Sequence, residues 1–302
     1  MQGTVDGFSY GLVTPVAAFL MACLGGALGL RCTTRSLRHR DTFKAGWLTL
    51  GATSIGTGIW TMHFIAMMGF SVRQAPITYD RPLTFASLGV AVVMVGIGIF
   101  IVGYRGATAL PLVTGGTVTG LGVATMHYLG MAGMRLHGTI GYDTLTVALS
   151  VVIAVVASTV ALWAAVSVRG FLPSLGASMV MGLAVSGMHY TAMGAVHVEL
   201  AQLPGMPATG TGDSPTTLLL PLLIGPGVFL LLAAVVVMFD PLLVLGEPDW
   251  QRPAARGRSR HRVGGVPAPR RVPAYGEPAN WSAARPAGRR SVPRDAYRSQ
   301  DW

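Results

Sequence analysis

GLGVATMHYLGMAG, residues 120–133, has two near-copies elsewhere in the chain: GTGIWTMHFIAMMG at 56–69 and GLAVSGMHYTAMG at 182–194. The common pattern is Gly, five residues, Met-His-(Phe/Tyr), two residues, Met. Its histidines are His63, His127 and His189, spaced 64 and then 62 residues apart. Self-similarity at a near-fixed period marks a repeated structural unit, and this period leaves room for two membrane-length helices of ~20 residues with their loops.

The surrounding composition agrees. The chain has 302 residues, 51% apolar, with a mean hydropathy of +0.55 and 11% charged residues, against ~25% charged in soluble domains. Seven stretches without Asp, Glu, Lys or Arg run about 10–30, 45–69, 83–103, 109–134, 145–168, 172–196 and 216–239. They are continuous apolar runs without period-2 alternation, which in lipid means helices rather than a barrel. The sixth is the least apolar, diluted by Gly176, Gly182, Gly187 and Gly194. The predicted fold is an all-α integral membrane protein of seven transmembrane helices, built from three helix-pair repeats plus one helix.

Charge gives the orientation. With the N-terminus outside, Arg31, Arg35, Arg38, Arg40, Lys44, Arg105 and Arg169 fall inside and only Arg73, Arg81 and Arg135 outside, so the positive-inside rule predicts N-out, C-in. Met1 to Gly7 has no basic n-region, and the first span is expected to stay as a signal anchor. From Asp240 onward the chain carries 12 arginines and 9 prolines with no apolar periodicity, which predicts a disordered cytoplasmic tail over 241–302 able to touch anionic lipid. The net charge of +10 resides in this tail and the first inner loop, so it is a topology signal and no nucleic-acid partner is expected. Cys23 and Cys32 are roughly 13 Å apart along a helix, too far for a disulfide.

Inside the spans, the three motif histidines are the side chains that titrate near neutrality, and such groups in a bilayer mark functional sites. Each lies about 6 to 8 residues before the outer end of its span, roughly 9 to 12 Å deep, so the three can converge in one layer. Met67, Met131 and Met193, four residues on, share the histidine face; Gly56, Gly120 and Gly182, seven before, lie close to it. The residue three after is always small: Ala66, Gly130, Ala192. Small residues on one face let membrane helices approach closely. Met62, Met126 and Met188, and on the other side Phe64, Tyr128 and Tyr190, point about 100° away and are candidates for supporting the site. Imidazole suits Zn, Cu and Fe whereas thioether selects soft ions; methionine recurring at one place three times favours copper. His137 and His197, just beyond two of these spans, read first as loop residues. Haem fits less well, since one layer of three histidines suits one mononuclear site and no Cys-x-x-Cys-His is present. The only lysine, Lys44, is in a loop, which excludes retinal.

Met126-His127-Tyr128-Leu129 and Met188-His189-Tyr190-Thr191, with the variant Met62-His63-Phe64-Ile65, resemble the signature of the MHYT family of bacterial integral-membrane sensor domains. The resemblance covers about residues 8–240. It implies an inner-membrane sensor that binds copper near the outer face through the motif Met and His and, through the metal, O2, CO or NO. Two departures stand out. Phe64 removes one phenol, and many relatives continue into a cyclase, phosphodiesterase, kinase or DNA-binding domain, so output here is expected through a cytoplasmic partner in trans. The competing readings are a copper-passing permease and a structural membrane protein without metal; the spans show neither intramembrane carboxylates nor helix breaks at equivalent positions. No nucleophile or carboxylate dyad lies within the spans, so no enzyme is expected.

Overall fold

The computed structural model of the chain describes residues 4–7, 9–38, 43–72, 76–168, 170–200 and 215–240. They form seven helices: α1 (Val13–Arg38), α2 (Lys44–Met68), α3 (Arg81–Arg105), α4 (Ala109–Ala132), α5 (Thr144–Ser167), α6 (Phe171–Gly194) and α7 (Pro215–Met238). Six short strands join them at one end: β1 (Val5–Asp6), β2 (Ser71–Val72), β3 (Thr78–Tyr79), β4 (Met134–Arg135), β5 (Gly138–Tyr142) and β6 (Val196–Leu200). The expected tail, 241–302, lies outside the described residues.

The repeat is visible as β-α-α-β. The strand before each odd helix pairs antiparallel with the strand after an even one, β1 with β2, β3 with β4 and β5 with β6. Three backbone bonds tie the same junctions: Ser9 N–H to Gly69 O at 3.0 Å, Asp80 N–H to Gly133 O at 2.8 Å and Asp143 N–H to Ala195 O at 2.9 Å. The helices α1 to α6 close into a ring, each packed on the next and α6 back on α1, while α7 packs outside the ring against α2 and α1. Three helix pairs plus one helix is therefore the arrangement found.

Glycines fix the seams between repeats. A Cβ on Gly56 would stand 2.8 Å from Val92 Cα of α3, one on Gly120 2.4 Å from Val155 Cα of α5, and one on Gly182 3.3 Å from Cys23 N of α1. The same motif position thus brings each even helix into backbone contact with the first helix of the next repeat. Asp80 and Asp143, 63 residues apart, cap α3 and α5 by accepting from Leu83 N–H at 3.1 Å and Thr146 N–H at 2.8 Å. These bonds, joined at Asp80 by Arg135 and at Asp143 by the Thr146 hydroxyl, hold both carboxyls below the usual carboxylate range.

Five helices, α1, α3, α4, α5 and α7, are long and apolar enough to cross a membrane on their own. On α5 the exposed Leu145, Leu149, Val152, Val156, Val160 and Trp163 recur at steps of three and four and form one lipid-type face. The helix α2 falls short of that measure, although the sequence predicts seven crossings. For α2 the cause is its place: every residue from Ser54 to Phe64 is buried by neighbouring helices, so it needs no apolar outer face.

One helix boundary and the connections between helices differ from expectation. α1 runs on to Arg38 instead of ending near Leu30, because Cys32, Thr33 and Ser36 are buried and Arg35 bonds Asp240 at 3.1 Å; absence of charge delimits an apolar core, not a helix. The short strands were expected as loops. Ribbons of two to five residues are set by the helix ends they connect and carry no alternation of their own.

Candidate metal centre

His63, His127 and His189 each lie five residues before the last residue of α2, α4 and α6, about 7 to 8 Å from the helix end. This is shallower than the sequence estimate, which counted residues that have already left the helix for the strands. Equal depth, alternate placement in the ring and an inward-facing motif bring the three imidazoles together, all fully buried. The Nδ1 atoms form a triangle: 3.1 Å from His63 to His189, 3.1 Å from His127 to His63 and 3.3 Å from His189 to His127. The rings meet edge to face with centroids 4.8 to 5.1 Å apart.

This donor set fits a metal ion. Three nitrogens bound to one ion at ~2.0–2.1 Å stand about 3.3 to 3.5 Å apart, close to the observed edges. Hydrogen bonding alone does not satisfy the triangle: a neutral imidazole has one N–H, so at least one edge always sets lone pair against lone pair or proton against proton. With all three Nδ1 lone pairs turned inward, the protons sit on Nε2. The Nε2 atoms of His63 and His127 are buried without a hydrogen-bond partner. A cation at the centre of the Nδ1 triangle relieves the repulsion there.

The neighbouring motif residues divide into walls and frame. Gly130 lies directly against His63, where a Cβ would stand 2.7 Å from Nε2; this small residue, three after His127, admits the imidazole of the preceding repeat. Met62, Met126 and Met188 are fully buried, as are Met67 and Met131, while Met193 is half-buried. Met131 also lines a cavity of about 360 Å³ at the strand-bearing end, with Tyr128, Met134, Arg135 and Tyr142. Phe64, Tyr128 and Tyr190 each set a ring edge to face against the adjacent histidine, at 4.7, 4.9 and 5.0 Å. His137 and His197 are exposed and stand apart from the cluster.

Sequence reading missed the second tier of polar contacts. Tyr128 OH and Ser150 Oγ of α5 lie 2.7 Å apart, and Trp60 Nε1–H donates to Ser87 Oγ of α3 at 2.9 Å. The available signal was the recurrence of Asp, six residues, Ser at 80–87 and 143–150.

Comparison with known proteins agrees with this architecture. The MHYT family model, described as a bacterial signalling protein N terminal repeat, matches residues 56–115 and again 120–178; its unit begins on a motif helix, half a β-α-α-β repeat out of phase. The chain is similar to the bifunctional diguanylate cyclase/cyclic di-GMP phosphodiesterase MucR of Pseudomonas aeruginosa, 37% identical over 209 residues, covering 68% of this chain and 30% of that protein. It is similar also to the cyclic di-GMP phosphodiesterase NbdA of the same organism, 36% identical over 229 residues and covering 70% and 28%. Signaling protein YkoW of Bacillus subtilis is 31% identical over 183 residues, covering 58% and 23%. The chain thus spans less than a third of the length of these relatives. No solved structure matches it. With its repeated motif, its apolar helices and these relatives, the chain is a bacterial multi-pass membrane protein and belongs to the MHYT family of signalling proteins.

Proposed function

We propose that this protein is a membrane sensor that holds one copper ion between His63, His127 and His189, with the strand-bearing end outside, the N-terminus outside and the C-terminal segment inside the bacterial inner membrane. The observation that carries the reading is the Nδ1 triangle with edges of 3.1 to 3.3 Å. A thioether from Met67, Met131 or Met193 completes the donor set and selects copper over zinc. Bound copper supplies a centre that changes oxidation state or takes up O2, CO or NO. The chain's own residues hold the imidazoles in register, exclude water, and convert a change at the site into helix shifts of ~1 to 2 Å. The names of MucR and NbdA point to cyclic di-GMP turnover as the output. Elemental analysis and X-ray absorption on protein purified without added metal test the reading: one copper per chain is expected, lost in His127→Ala. Unchanged stoichiometry in that variant refutes a shared three-histidine site.

A further inference from the structure

The departure at Phe64 opens a question about how the first motif histidine is held. In the second repeat, Tyr128 lies edge to face on His127 at 4.9 Å and its hydroxyl meets Ser150 Oγ of α5 at 2.7 Å. Ser150 donates its own proton to Val147 O at 2.7 Å, so it accepts from the phenol. The histidine is thereby braced, through one aromatic ring, against the first helix of the next repeat.

Ser87 of α3 is the counterpart of Ser150, 63 residues earlier, just as Asp80 is of Asp143. It too donates to the carbonyl three residues before, Thr84 O at 2.6 Å, and so offers an acceptor across the α2–α3 seam. Phe64 has no hydroxyl to fill it. The donor present instead is the indole of Trp60, whose N–H reaches Ser87 Oγ at 2.9 Å and Thr84 O at 3.2 Å. Trp60 is one turn before Phe64 on the same helix face, fully buried, with ring centroids 4.6 Å apart, and Phe64 contacts His63 at 4.7 Å. At the position matching Trp60, the second repeat has Ala124. Two differences therefore compensate: the lost phenol at Phe64 and the gained indole at Trp60 meet the same acceptor.

We infer that Trp60 and Ser87 are positioning residues for His63, a two-ring brace (Ser87, Trp60, Phe64, His63) that replaces the one-ring brace (Ser150, Tyr128, His127) of the second repeat. His63 and His127 are thus each tied to a neighbouring repeat. The inference rests on the three-histidine reading for its copper readout but not for its structural one.

The test uses the full chain in nanodiscs with Ser87→Ala, Ser150→Ala, Trp60→Phe, Trp60→Ala and the double variant Trp60→Ala/Phe64→Tyr, which transplants the second repeat's brace into the first. In metal-free protein, 15N spectra of labelled histidine are expected to move for His63 in Ser87→Ala and Trp60→Phe, and for His127 in Ser150→Ala. The Cu(I) affinity, measured against a competing chelator, is expected to fall about fivefold to tenfold in each, the worth of one buried hydrogen bond. The double variant restores both readouts, whereas Trp60→Ala alone does not. Serine variants that leave both histidine spectra in place, or that shift them without this crossed specificity, overturn the inference, as does a double variant no better than Trp60→Ala. If the parent protein binds no copper, the metal reading fails and the histidine spectra still decide the brace.

Discussion

Gly130→Ala puts one methyl group where the site has no room. The added Cβ would lie 2.7 Å from His63 Nε2, 3.2 Å from its Cδ2 and 3.3 Å from Phe64 Cζ, whereas ordinary contact begins at 3.4 Å. The imidazole would have to retreat by about 0.7 Å, and it is boxed in by Phe64, His127 and His189 with ring centroids 4.7 to 5.0 Å away. Metal–ligand distances tolerate about ±0.2 Å, so a shift of that size takes His63 out of the donor set. Copper affinity is expected to drop about 100-fold or more, at least what loss of a supporting partner costs a metal site. Stability should change far less: alanine gains about 1 kcal/mol over glycine as a helix former against about 1 to 3 kcal/mol for overpacking, a net loss of at most about 2 kcal/mol. Gly187→Ala is the matched control, since a Cβ there meets nothing within 4 Å; it should raise the thermal midpoint and leave copper binding unchanged. Competitive Cu(I) titration and thermal unfolding followed by circular dichroism read both quantities. A Gly130→Ala protein with parental affinity and a raised midpoint would refute the placement of His63 against Gly130.

Three further outcomes follow from other parts of the molecule. Arg35 and Asp240, paired at 3.1 Å with side chains only 11% and 7% exposed, should each cost about 3 kcal/mol on single removal because a buried charge loses its ion-pair partner; Arg35→Met/Asp240→Leu should recover most of it, and a double variant whose loss in thermal unfolding equals the sum of the two single losses would show that the pair is not coupled. A cysteine at exposed Thr139 on β5 should react with a membrane-impermeant maleimide from outside intact cells and one at exposed Ala107, between α3 and α4, should not; the reverse pattern would invert the topology. The carboxyls of Asp80 and Asp143 are held below their ordinary value by the helix-capping bonds they accept, so their contribution is present above about pH 4 and disappears as pH falls through the lowered folded values. Asp80→Asn/Asp143→Asn should flatten the drop in thermal midpoint below pH 4, and an unchanged acid profile would count against the caps.

Much of the site was legible because its signal is helical and repeated. A histidine at the same offset in three copies, with a small residue three positions on, is enough to predict one depth and one inward face, and the structure places Gly130 of one repeat against His63 of the preceding one. Tiers that depend on which side chain faces which seam were not legible. Trp60 reads as an ordinary apolar residue, and Ser87 as one of many hydroxyls, until the α2–α3 contact is known. Likewise the inner end of α1 was cut at Arg31 because a charge ends an apolar run, although the helix continues to Arg38 and places Arg35 against Asp240 and, at 5.5 Å, over the Trp47 ring. Whether the methionines ligate was not legible from spacing, since the same i+4 offset serves packing.

The helices α2 and α6 carry two of the three histidines, and α2 also bridges the site to the last helix. It supplies His63 near the strand-bearing end, packs along α7, and at the opposite end sets Trp47 beside Arg35, which holds Asp240 at the end of α7. Leu28 and Cys32 of α1 complete that contact by packing with Leu230, Ala233 and Val237 of α7. Since α7 stands outside the ring, a displacement of α2 changes its contacts with α7 along their shared length without first breaking a seam between repeats. The asymmetry of the braces then acquires a direction. His63 is tied through Trp60 to α3 and His127 through Tyr128 to α5, so under the proposed sensing role a ligand change that pulls on His63 would strain the motif helix that packs along α7 and sets Trp47 beside Arg35.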